Sequence, residues 1–273
     1  MNKITSRQAD LYGLIGYPLG HSFSQKFFTE KFSAEKISAE YKLFPVEHIN
    51  LFPNVLRENP NLRGLNVTIP YKEQIIPFLD ELDDTAREIG AVNVIKIISR
   101  PKPPKGGFGN GTALKSPLGD LGVVGYNTDV IGFENSLKKL LQPQHTKALI
   151  LGTGGAAKGV AYVLKKLNIK YLFVSRTPKE GQISYPDIDA ALLSDYTLII
   201  NTTPAGTFPN VEACPDIPYK YLTDKHLLYD LIYNPEKTLF LQLGATQGAS
   251  IKNGLEMLHG QALAAWDIWN ANP

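Results

Sequence analysis

The stretch "KALILGTGGAAKGV" constrains the chain more than any other. An apolar run, Ala148 to Leu151, enters Gly152, Thr153, Gly154, Gly155 and Ala156, and "AAKGVAYVLKKL" then reads as a helix. Ala157 takes the third small-residue position of a GxGxxA pattern. A pyrophosphate must approach backbone amides at the positive end of a helix, and a Cβ at the tight turn would block it. The flanks are those of a dinucleotide fold: a strand before, a helix after, and a second strand, "KYLFVSRT", ending where the adenine ribose should lie. No acid of the kind that marks an NAD site stands at that end. Ser175, Arg176 and Thr177 occupy it, followed by Lys179, and two cations there suit the 2′-phosphate of NADP. The plainer readings are a simple tight turn for the glycines and a solvated surface arginine for Arg176.

Around this loop, apolar runs alternate with segments long enough for a helix. Strands are expected at Leu11–Gly16, Ala39–Val46, Leu62–Ile69, Ala91–Ile98, Val123–Asn127, Lys147–Leu151, Lys170–Ser175, Tyr196–Thr202 and Leu227–Ile232. That rhythm predicts an α/β architecture of parallel sheets with helices packed on them. A last helix, from near Gly254, puts Leu258, Ala262, Ala265, Trp266 and Trp269 on one face. The segment from Ser99 to Gly122, thick with Pro, Gly and Lys, reads as a long exposed loop or a ragged hairpin. With 273 residues, of which 43% are hydrophobic and 20% charged, the chain suits two globular domains. A net charge of +2, with scattered basic residues, gives no footprint for nucleic acid. No run approaches the roughly 18 to 20 apolar residues of a membrane span, and the N-terminus lacks a signal-peptide core. With the lone Cys214, this points to a cytoplasmic protein and away from any membrane. The histidines show no metal spacing, a single cysteine cannot form a thiolate cluster, and no GxSxG elbow is present.

A second stretch, "NVTIPYK", from Asn66 to Lys72, crowds an amide, a hydroxyl and an ammonium at the end of a core strand, where the chain is expected to turn into a helix. Taken singly, its residues and their counterparts elsewhere have ordinary explanations. Ser22 and Ser24 could cap a helix beginning at "FSQKFF", a role compatible with binding a carboxylate. Lys72 and Glu73 could be a solvent-facing pair, Asp129 an N-cap, and Gln261 a helix-packing residue.

Taken in order, the stretches "GLIGYPLGHSFS", "GLNVTIPYK", "IGAVNV", "GYNTDVIGF", "SRT", "NTTPAG", "DLIYNP" and "NGLEMLHGQALAAW", with the glycine loop, resemble the shikimate dehydrogenase family over nearly the whole chain. The resemblance implies a substrate-binding domain over residues 1–128, completed by a C-terminal helix within 250–273, and an NADP-binding Rossmann-like domain over 129–249, with the active site in the cleft between them. It implies that Ser22 and Ser24 hold the carboxylate of shikimate or 3-dehydroshikimate, and that Thr68, Asn93 and Asp129 contact the ring hydroxyls. Lys72 and Asp129 form the catalytic pair. Gln261 and Tyr233 reach the substrate from the far side, Leu231 lies against the nicotinamide, and Gly254 belongs to the cofactor contacts. Asn66 either touches substrate or braces the turn. Monomer and homodimer are both compatible with the sequence.

The chain departs from the family pattern at Val94, where a threonine is common, at Ser175, where asparagine is usual, and at Glu180, where a second arginine often sits. An acid near the 2′-phosphate repels it, so Lys179 carries more of the selectivity. The resemblance thus implies reversible NADP-linked reduction of 3-dehydroshikimate. Its alternatives are a quinate/shikimate dehydrogenase using NAD, and a non-catalytic dinucleotide-binding sensor of the same fold.

Overall fold

A computed structural model describes residues 8–20, 22–99 and 121–271. It divides into two compact units, residues 1–128 with 264–273, and residues 129–263. The segment that rejoins the first unit therefore begins at Ala264, and residues 250–263 belong with the second.

The first unit carries a six-stranded sheet of β1 (Asp10–Gly16), β2 (Ala39–Pro45), β3 (Leu62–Val67), β4 (Glu81–Leu82), β5 (Val94–Ser99) and β6 (Leu121–Tyr126), in the order β2-β1-β3-β5-β6-β4. The expectation of parallel sheets fails here. Strand β1 runs parallel to β2 and β3, but β5 is antiparallel to both β3 and β6. In the antiparallel pairing of β5 with β6, Ser99 lies opposite Leu121. The intervening residues 100–120, which hold most of the Pro- and Lys-rich segment, lie outside the described residues. Helices α1 (Phe23–Ala34), α2 (Phe52–Glu58) and α3 (Asp84–Ile89) flank the sheet.

Leu11, Ile15, Phe52, Leu65, Val67, Ile75, Val92 and Ile95 form this unit's core. Beside them is an aromatic group built from both ends of the chain. Trp269 packs 4.8 Å from Tyr12 and 5.1 Å from Phe28, and its indole donates to the Ile95 carbonyl at 2.9 Å. A side chain at Gly64 would overlap the Trp269 ring, so a bare backbone there is what lets the indole lie on the sheet.

The second unit's sheet is β7 (Lys147–Leu151), β8 (Lys170–Val174), β9 (Gln182–Ile183), β10 (Leu198–Asn201), β11 (Leu227–Asp230) and β12 (Ser250–Lys252). The order is β12-β11-β10-β7-β8-β9 with every pair parallel, which read from β9 is the 3-2-1-4-5-6 arrangement of a doubly wound dinucleotide fold. Its helices are α4 (Asp129–Lys138), α5 (Gly155–Lys166), α6 (Ala190–Asp195), α7 (Leu239–Thr246) and the first part of α8 (Leu255–Asn270), whose residues from Ala264 on belong to the first unit. Leu149, Ile150, Leu151, Leu198, Ile199 and Ile200 are wholly buried. Such continuous apolar strands belong to a sheet covered on both faces. All nine expected strands exist within a few residues of their expected ends; β4, β9 and β12 were not expected.

Candidate active site

In the first unit, polar side chains gather where β1 and β3 end, β5 begins and β6 ends. Pro70 stops β3, but no α-helix follows it. Tyr71 N bonds to Thr68 O at 2.9 Å, Ile75 N to Tyr71 O at 2.9 Å, and a single 3₁₀ turn covers Ile76–Phe78. Pro77 sits inside that turn, and a proline lacks the amide that a longer helix would need. Lys72, half-buried, is therefore on a turn whose backbone is fixed: its carbonyl accepts from Val92 N at 2.7 Å.

The next residue, Asn93, is buried and clamped from several directions. Its carbonyl accepts from Val67 N at 2.8 Å and its amide N–H donates to Tyr126 O at 3.0 Å. Its side chain accepts from Thr128 N at 2.7 Å and donates to Thr128 Oγ1 at 3.1 Å. Thr128 thus orients Asn93, and Val94, wholly buried, is a core residue with no part in that clamp. Asn127 alongside donates to Ala91 O at 3.0 Å.

Ser22 and Ser24 have different local duties. Ser22 is the N-cap of α1, accepting from Gln25 N at 3.3 Å, so the capping explanation holds and leaves its hydroxyl at a helix N-terminus suited to an anion. Ser24 hydrogen-bonds the Tyr41 hydroxyl, which itself donates to Asn66 Oδ1 at 2.7 Å. Burial drives the Tyr41 phenol well above its usual range, so it stays a neutral hydroxyl that joins Ser24 to Asn66. Asn66 therefore braces the strand end through Tyr41.

In the second unit, the glycine loop has the geometry its sequence demands. Gly152 adopts φ +106°, a conformation that favours glycine, and its amide bonds Val174 O at 2.9 Å, which sets the ends of β7 and β8 side by side. Gly154 is the N-cap of α5, makes no side-chain cap, and has open space where its Cβ would stand. Thr153, Gly154, Gly155 and Ala156 are exposed, while Ala157 is wholly buried against the sheet. A dinucleotide fits this cradle, because the first amides of α5 face outward with no side chain in the way. Arg176, Thr177 and Lys179 are exposed just past the end of β8, and Ser175 Oγ accepts from Thr177 N at 3.2 Å. Glu180 is exposed beside them. Beyond β11, a side chain at Gly254 would overlap the Leu231 carbonyl, and Gly254 N donates to Ile232 O at 3.0 Å. Tyr233 is 40% exposed at the same edge.

Asp129 begins α4, and three anchors hold that helix. Glu134 binds Lys138 and, at 2.8 Å, Lys166 of α5. Burial raises the Glu134 carboxyl, but these two ammonium groups outweigh it and keep it below its ordinary range. Ser136 hydrogen-bonds the buried Tyr229 hydroxyl of β11. Gly132 meets α8, where any side chain would overlap the Met257 carbonyl; Gly260 sits opposite, its missing Cβ 3.1 Å from Gly132 Cα. Gly132 lies one turn beyond Asp129, on the same helix face. This bare crossing brings Asp129 and Gln261, the neighbour of Gly260, to one pair of touching helices.

A family model, "Shikimate dehydrogenase substrate binding domain", matches residues 14–95. A shikimate dehydrogenase (NADP(+)) of Methanosphaera stadtmanae is 34% identical over 275 residues, covering 94% of this chain and 90% of its own. The chain belongs to the shikimate dehydrogenase family. Among solved shikimate dehydrogenases, that of Thermus thermophilus in complex with NADP(H) and shikimate superposes with a TM-score of 0.77 at 26% identity, covering 96% of this chain and 93% of its own. That of Listeria monocytogenes in complex with shikimate and NAD reaches 0.79 at 25% identity, covering 98% and 95%. Tyr41 and Thr128 hold the expected site residues Ser24, Asn66 and Asn93 of this shikimate dehydrogenase family member, and sequence reasoning missed both. Thr128 lies inside the quoted "YNTD", so its polarity was visible but its partner was not. Among the described residues no group of His, Cys, Asp and Glu could hold a metal, and no helix is long and apolar enough to cross a membrane.

Proposed function

We propose that the protein catalyses the reversible NADP-dependent reduction of 3-dehydroshikimate to shikimate, a step of aromatic amino-acid biosynthesis in the cytoplasm. The observation that carries this reading is the clamp on Asn93 and the Lys72 turn beside it. It fixes the Asn93 amide and, beside it, the backbone of Lys72, whose side chain carries an ammonium, two groups of the kinds a polyhydroxy keto acid requires. NADPH, when bound along the glycine loop, supplies the hydride. A ketone that accepts hydride leaves negative charge on its oxygen, and that oxygen must be protonated as the charge builds. The Lys72 ammonium provides both the cation and the proton; in the oxidative direction the neutral amine takes the proton back. Asp129 orients Lys72 and the substrate hydroxyl. Ser22 and Ser24 take the carboxylate, Thr68 and Asn93 take hydroxyls, and Tyr233 and Gln261 complete the set. Arg176 and Lys179 face the 2′-phosphate. One chain supplies every group in this reading.

The test follows absorbance at 340 nm with shikimate or quinate and with NADP+ or NAD+, for the wild type and Lys72→Ala. Shikimate with NADP+ is expected to be the fastest combination. The variant should lose on the order of 10²- to 10⁴-fold in turnover, the range of a lost general acid–base, while shikimate still binds. Equal turnover by the two proteins removes Lys72 from the mechanism. A faster rate with NAD+ would favour the reading that Glu180 permits.

A further inference from the structure

At the carboxyl edge of the second unit's sheet, one buried carboxylate organises the loops that follow β10 and β11. Asp230, at the end of β11, is wholly buried. Its Oδ1 accepts from Asn201 Nδ2 at 3.0 Å and Ile232 N at 3.1 Å, and its Oδ2 from Thr238 Oγ1 at 2.6 Å. Thr238 is in turn the N-cap of α7. A carboxylate only accepts, so the Asn201 amide has one possible orientation: NH2 toward Asp230, oxygen away. That oxygen accepts from Thr203 Oγ1 at 2.7 Å and Thr203 N at 3.0 Å. The Thr203 hydroxyl has therefore spent its proton inward. Ala205 N at 3.3 Å takes one of its lone pairs, which leaves the other.

Thr203 itself stands in a telling place. Thr203 follows the end of β10, the strand beside β7, and its Cγ2 is 3.1 Å from where a Cβ of Gly152 would stand. Thr202 ties the same loop to the Leu151 carbonyl through Oγ1 at 2.7 Å and N at 3.0 Å. In a doubly wound sheet the ligand lies along the carboxyl ends of the strands and crosses at the switch between β7 and β10. With the adenosine on the β8 side, where Arg176 and Lys179 are, the nicotinamide falls on the β10 and β11 side. Its carboxamide carries an NH2 that needs an acceptor.

We propose that Thr203 accepts a hydrogen bond from the nicotinamide carboxamide, and that Asp230 is a positioning residue which, through Asn201, fixes the Thr203 hydroxyl as an acceptor. This rests on the NADP reading above. Burial also pushes the Asp230 carboxyl up to about 6, which makes it an uneconomical choice for stitching a loop that a neutral amide could stitch.

The test compares equilibrium binding, by quenching of intrinsic protein fluorescence, of NADP+ and of its 3-acetylpyridine analogue, in which a methyl ketone replaces the carboxamide and removes the NH2. The wild type should bind NADP+ more tightly than the analogue. Thr203→Val, close in shape but without the hydroxyl, should weaken NADP+ about 5- to 10-fold and leave the analogue within about twofold, the range set by one neutral hydrogen bond. Asp230→Asn should show the same selective loss, and Asp230→Glu should not restore it if geometry is what matters. Equal weakening of both ligands by Thr203→Val would mean general damage to the loop and would overturn the proposal, as would no weakening of either. Failure of the wild type to bind either ligand would instead sink the cofactor reading on which the proposal stands.

Discussion

In the function proposed above, the two units hold their ligands in opposite ways. The second works mainly with backbone: Gly152 at positive φ, the outward amides of α5, and an all-parallel sheet whose strand ends line up at one edge. The first works with side chains held by other side chains: Asn93 by Thr128, and Ser24 and Asn66 by Tyr41. A backbone site depends on a few residues being absent in side chain, so one added carbon ruins it. A side-chain site depends on pairs, so its losses come in smaller portions.

Gly152→Val tests that contrast most severely. The positive φ and the approach of Thr202 Oγ1 to 2.8 Å from the new Cβ together cost on the order of 2 to 4 kcal/mol. NADP+ affinity should fall roughly 30- to 1,000-fold by calorimetric titration, with shikimate affinity unchanged. A comparable loss of shikimate binding would show that the two regions are not separable.

Asp230→Asn sharpens the contrast within the backbone-built unit, through pH. The folded carboxyl lies above its ordinary value, at about 6 against 3.8, and the donors around it, from Asn201, Thr238 and Ile232, are neutral. The folded state thus holds this proton more tightly than the unfolded chain does. Its contribution favours folding below about pH 4 and is lost as pH rises through 6. The melting temperature of the variant minus that of the wild type should therefore increase from pH 4 to 7 and level off above, by several degrees in all. A difference that stays flat over that range would show that Asp230 does not titrate there.

For the side-chain site, Asn93→Ala deprives buried Thr128 of both partners and should cost about 1 to 3 kcal/mol of unfolding free energy in urea. KM for shikimate should rise in parallel, with NADP+ affinity kept. Tyr41→Phe is the mildest. It leaves Asn66 and Ser24 without their shared hydroxyl and should raise KM for shikimate about 3- to 10-fold, the worth of roughly 1 kcal/mol. If both variants instead altered NADP+ binding, the division of labour between the units would fail.

The same contrast explains what could be read before any coordinates. A glycine loop announces itself because the requirement is local: strand, bare turn and helix follow one another in the chain. The nine longer strands were legible for the same reason. Strands β4, β9 and β12 span two or three residues, too few for any alternation to register. The antiparallel course of β5 depends on which neighbours it meets, and "VNVIKI" carries no mark of direction. Lys72 was expected where the strand gives way to a helix just past Pro70, and Pro77 denied that helix its length. Tyr41 lies 25 residues before Asn66, and Thr128 lies 35 after Asn93. Their duties are visible only once the sheet has placed them together.

Trp269, lying over Gly64 and bonded to Ile95, has a further consequence for the order in which a ribosome delivers this chain. The strands of the first unit emerge well before the indole that seals their aromatic cluster, with all of residues 129–263 made in between. The middle of the polypeptide, an uninterrupted span, has no such wait. The unit that is begun first is therefore completed only after the second has been made, and its aromatic cluster stays open until Trp269 arrives.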